Sequence, residues 1–188
     1  MMRKTTFLIL LTFLLALQGA SATAASKATH SVQSIGVVII GDKEFQQERF
    51  YSQISDILNS RSNKVTIGTK TQASFAQFCQ ASNIAEKALP KVNDMVEFAK
   101  QENFDKLVGI VIREPMKNNF KRKVSNHEGL VDRTICALQL DFYIFDKERS
   151  LKVFSVAKDK LASNETDATV GAFDKCVDKV RKDINKVL

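Results

Sequence analysis

The longest apolar stretch of the chain comes first. Phe7 to Leu17 is broken only by Thr12, is preceded by Arg3 and Lys4, and runs into the small residues Gly19 to Ala25. A charged start, an apolar core and small-residue A-x-A sites make the pattern of a secretory signal peptide. Ala20-Ser21-Ala22 and Ala22-Thr23-Ala24 both fit, and cleavage is expected near Ala24. The apolar core is about half the ~20 residues a spanning helix needs. No cysteine lies near the cleavage region, so the mature chain is expected to be soluble and to carry no lipid anchor. Residues 1–24 are therefore assigned to the leader, 25–34 to a polar tail, and 35–188 to one α/β domain.

Within that domain the patterning alternates between two kinds of strand and amphipathic helices. Ile35-Gly36-Val37-Val38-Ile39-Ile40 and Leu107-Val108-Gly109-Ile110-Val111-Ile112 are continuous apolar runs, as expected for strands buried on both faces. Phe50, Ile54, Ile57 and Leu58 recur at helical spacing and predict a helix over Lys43 to Asn59, with Asp42 as its cap. Val65 to Ile67 is expected as a short strand. Phe75, Phe78 and Cys79 predict a helix over Thr71 to Ser82. Val92, Met95, Val96 and Ala99 predict another, after Pro90 and closing near Asn103.

Met116 to Asp132 shows no clear period and is expected to be irregular. From Thr134 to Asp146 the positions alternate. Cys136, Leu138, Leu140, Phe142 and Ile144 face one way, while Gln139, Asp141 and Tyr143 form a mostly wet face, which points to antiparallel pairing. Leu151 to Ala157 is expected as its hairpin partner. Val170, Phe173, Val177, Val180, Ile184 and Val187 form the stripe of a final helix from Thr166 to the end. The predicted order is β-α-β-α-α-β-β-β-α: a single α/β domain with a mixed sheet of about five strands and helices packed on it.

Composition narrows the chemistry. The full chain carries 28 Lys+Arg, 21 Asp+Glu, 2 His and 3 Cys. Loss of the leader leaves 26 Lys+Arg against 21 Asp+Glu, a mature charge of +5. That permits anionic partners without requiring one. The strand-to-helix turn at Ile40-Gly41-Asp42 has one glycine followed by an acid, unlike a dinucleotide or phosphate loop. The scattered histidines and cysteines have no metal-ligand spacing. No metal or cofactor is expected. Ser125, His127 and Asp132 are close in sequence, but a polar loop accounts for them. Asp141 and Asp146 differ by an odd number and are expected on opposite faces, against a carboxylate pair. A hydrolase or thiol enzyme is thus the weakest of three readings.

The one feature suggesting a ligand is a basic cluster, Arg113, Lys117, Lys121, Arg122 and Lys123, with Phe120 among them. It is a candidate patch for an anionic partner, set against the alternative of a solvated hairpin loop. Nucleic acid is not expected for an exported protein. In an oxidising compartment Cys136 and Cys176 are candidates for a disulfide, with three reduced core thiols as the alternative. Asn164-Glu165-Thr166 matches a glycosylation sequon and is discounted because the leader has bacterial character.

The second half carries a resemblance. The strand Leu138 to Asp146 ends in an acid, Leu151 to Ala157 follows, and Val170 to Val177 opens a helix. Phe98 to Asp105 feeds the buried strand Leu107 to Ile112. This looks like the small mixed α/β domain of bacterial envelope accessory proteins, of the type in the amino-terminal part of TolB, in CsgG and in the lipoprotein activators of penicillin-binding proteins. The resemblance implies an envelope location, periplasmic or extracellular, and a protein-binding role without catalysis. It supplies no motif residue, and the lipid-anchor cysteine of its lipoprotein members is missing here. The expected function is a non-enzymatic accessory domain that binds another envelope protein. The alternative is binding of an anionic glycan or lipid surface through residues 113–123.

Overall fold

The computed structural model describes residues 32–60, 63–85, 87–123, 129–147 and 151–184. The expected leader, Ser125, His127 and Val187 lie outside the described residues. All of these described residues belong to one compact unit, residues 31–188.

The first apolar run forms β1 (Gln33–Ile40), starting two residues inside the expected tail. A single 3-10 turn at Lys43–Phe45 follows, and α1 (Glu48–Leu58) begins only after it. Asp42 makes no side-chain cap bond and instead pairs with Lys87. β2 (Asn63–Thr66), α2 (Thr69–Ala81), α3 (Val92–Gln101) and β3 (Lys106–Ile112) come next. Asn103 closes α3 in the left-handed conformation (φ 61°), and Phe104 N–H donates to the Ala99 carbonyl at 2.8 Å.

The chain then departs from expectation. Residues read as irregular form β4 (Met116–Lys123) and the first part of β5 (Leu130–Asp146). β6 (Leu151–Ala162) and α4 (Glu165–Ile184) complete the fold. All eight β4 residues are exposed, so the strand has no inward face to impose a period of two. Its stability comes from backbone pairing with β5.

The mixed sheet has six strands. β2 and β3 flank β1 in parallel, and β5 pairs antiparallel with β3, β4 and β6. β3 and β4 lie along the same edge of β5. Ile112 stands opposite Leu140 and Met116 opposite Ala137, which leaves one extra residue between them. Arg113, Glu114 and Pro115 thus form a bulge. A bulge is one of the few places a sheet admits proline.

One face of the sheet packs against α1 and α4. Ile35, Val37 and Ile39 of β1 meet Phe50, Ile54 and Leu58 of α1 there, and the even row Cys136 to Ile144 meets Ala172, Phe173, Cys176 and Val180 of α4. Phe173 reaches Phe50 at 4.6 Å and Phe45 at 6.2 Å between ring centres. On the other face, Phe75, Met95, Phe98 and Phe104 cover Val38, Ile40, Leu107 and Phe145. Each such buried side chain contributes about 1.5–3 kcal/mol. Asn164 caps α4: its Oδ1 accepts from Asp167 N–H at 2.8 Å. This gives the sequon asparagine a structural role.

Candidate functional site

The five basic residues sit on or beside one edge of β5, but they do not form one patch. Arg113 lies at the bulge, where its Nε donates to the Asp141 carboxylate at 2.7 Å. Asp141 is 2% exposed, so the face expected to be wet buries a charge. Burial works to raise its carboxyl pKa. Hydrogen bonds from Gln139, Ser155 and Arg113 outweigh that and hold it below the ordinary carboxylate range. Lys117 is also engaged. Its Nζ lies 2.7 Å from Glu165 at the start of α4 and 3.8 Å from Glu44, and the Glu165 hydrogen bond raises its pKa.

Lys121, Arg122 and Lys123 remain exposed on the outer half of β4. Register places Lys121 opposite Asp132, and Phe120 opposite Arg133. Arg122, Lys123 and Arg133 line a shallow depression with Leu161 and Ala162. Apolar side chains accompany the charges: Met116 is 74% exposed, Phe120 38% and Leu130 68%. The arm formed by β4 and the first half of β5 therefore presents cations and apolar groups together.

A second feature escaped the sequence reading. The carboxyl end of β1 opens into a cleft of about 390 Å³ lined by Phe75, Cys79, Gln46, Gln72, Ile84 and Ala88, among others. β1 has lost its β2 partner by this point, because their pairing ends at Gly36 and Thr66. The Gln72 amide replaces that partner: its Oε1 accepts from Ile39 N–H at 3.0 Å and its Nε2 donates to the Ile39 carbonyl at 2.8 Å. A glutamine at this position is the only trace in the sequence, and nothing in its local pattern marks it. Burial and the nearby Asp94 charge raise the Cys79 thiol, which disfavours the thiolate a nucleophile needs.

The remaining cysteines are buried in the core shared by β5 and α4, each as a free thiol. Cys176 Sγ lies 3.6 Å from the Leu138 carbonyl, and burial pushes its pKa up to about 11. Among the described residues, no group of three or more His, Cys, Asp or Glu side chains is placed to hold a metal ion.

No family model matches this chain, and no curated protein matches it. Several solved structures align with the chain over most of its length. Lipoprotein GNA1162 from Neisseria meningitidis aligns with a TM-score of 0.49 at 14% identity, over 82% of this chain and 99% of that one. A putative neuraminyllactose-binding hemagglutinin homolog from Helicobacter pylori gives 0.44 at 12%, over 84% and 83%. A PelC dodecamer from Paraburkholderia phytofirmans gives 0.39 at 10%, over 80% and 86%. The first of these is a lipoprotein, but likenesses this distant assign no function. No described helix is long and apolar enough to cross a membrane.

Proposed function

We propose that this protein is a non-enzymatic binding domain of the bacterial envelope, exported by its leader, and that the β4–β5 arm is its recognition element. The observation that carries the reading is β4 itself. It is a strand whose residues are all exposed, paired on only one side among the described residues, and bearing three lysines and an arginine. An unpaired edge of this kind is a template for association, and its lysines are the usual defence against indiscriminate pairing.

Photo-crosslinking in cells tests this. A benzoylphenylalanine at Phe120 or Asn118 should capture a discrete envelope partner. The same group at Asp56, on exposed α1 surface, should capture none. Capture from Asp56 but from neither β4 position would overturn the reading.

A second reading uses the same cations. Lys121, Arg122, Lys123 and Arg133 beside exposed Leu130 and Phe120 also suit an anionic glycan or lipid surface. Co-sedimentation with anionic vesicles or cell-wall glycan, fading as salt rises to physiological strength, would favour that reading over a protein partner.

A further inference from the structure

We infer that the outer edge of β4 takes up one extended strand from an acidic partner segment, an inference that rests on the arm being the recognition element. Backbone geometry is the first ground. Arg113 N–H donates to the Gln139 carbonyl at 3.0 Å, so odd-numbered β5 residues direct their backbone groups to the β3–β4 edge. Their partners along β4 are Met116, Asn118, Phe120 and Arg122. The alternate residues Lys117, Asn119, Lys121 and Lys123 then turn their N–H and C=O groups outward. Glu44 flanks the start of the strand at Lys117. Asn119 to Lys123 pairs with no other described strand.

Charge decides what can pair there. A second copy is disfavoured: antiparallel pairing of two β4 strands sets Lys121 against Lys117, Lys121 or Lys123 or, when centred on Phe120, Lys117 against Lys123, and parallel in-register pairing sets each lysine beside its own copy. Directly opposed like charges destabilise a sheet. An acidic segment meets the opposite condition. Lys121 and Lys123 share one face of the strand, whereas Phe120 and Arg122 share the other. The fitting partner therefore alternates, with carboxylates over the two lysines and an apolar side chain beside Phe120. Backbone bonds supply affinity, and the alternate side chains supply specificity.

Fluorescence anisotropy with a labelled peptide Glu-Val-Glu-Val-Glu-Val-Glu tests the inference. Two analogues carry N-methyl groups on all valines or on all glutamates, so one blocks the edge facing β4 and the other the solvent edge. One analogue should lose about tenfold or more in affinity and the other should bind like the parent. Lys121→Pro, which removes an outward N–H, should weaken binding more than Lys121→Gln, which removes only the charge. Circular dichroism checks that both variants fold. If Lys121→Pro does not fold, the peptide pair still decides. Equal binding by all three peptides would overturn strand addition and leave the arm reading standing on the crosslinking result. No binding of the parent peptide, or a homodimer abolished by Lys121→Pro, would also overturn the inference.

Discussion

Asp141→Asn removes the one charge that is buried among the described residues while keeping its shape. Asp141 accepts from Arg113 Nε at 2.7 Å and from Gln139 Nε2 at 2.8 Å, and Ser155 bonds to it as well. An asparagine can turn one oxygen to these donors. Its amide NH₂ would then confront another donor. Hydrogen bonds to charged groups contribute about 1.5–3 kcal/mol each. The Arg113 side chain is 57% exposed and rehydrates when released, so the net loss should be about 2–3 kcal/mol rather than the sum. For a domain of this size that lowers Tm by roughly 5–10 °C. The pH dependence follows from the lowered pKa of Asp141. Its contribution is complete above the unfolded carboxyl value of about 3.9 and is lost as pH falls through the lower folded value. Thermal melts of wild type and variant should therefore differ at pH 7 and converge in strong acid. A variant as stable as wild type at pH 7, or a gap that persists unchanged at low pH, would refute the assignment.

Phe142→Ala should cost about 3–5 kcal/mol in urea unfolding, because Phe142 is fully buried and stacks on Phe154 at 4.7 Å; Val153→Ala, at 51% exposure, should change stability by less than about 0.5 kcal/mol. Gly36→Ala would drive a methyl into the Phe104 ring and should destabilise by about 1–3 kcal/mol, with a smaller effect in a Phe104→Leu background. Maleimide labelling read by mass spectrometry should modify half-buried Cys79 before Cys136 and Cys176, and unreacted protein in denaturant should show three thiols. Amino-terminal sequencing of exported protein should begin near Ala25.

Much of the fold was legible along the chain because its signals are local. Two continuous apolar runs marked β1 and β3, the even row Cys136 to Ile144 marked the buried face of β5, and the stripe through Val170 and Val180 marked α4. Each of these elements buries a face, and burial writes a period into the sequence. β4 buries none, so Met116 to Lys123 looked irregular; only pairing with β5 across the bulge makes it a strand. Pairing also decided the fate of the basic cluster. Arg113 and Lys117 are neighbours of Lys121 in sequence, but the tertiary structure brings Asp141 and Glu165 to them and leaves the outer cations exposed. The burial of Asp141 was equally hidden, because alternation along β5 fixes its face but not what surrounds it, and its hydrogen bonds come from Arg113, Gln139 and Ser155. Helices and buried strands follow from near-neighbour spacing. An open edge, a bulge and the partner of a buried carboxylate depend on residues far apart in the chain, and those the fold alone brings together.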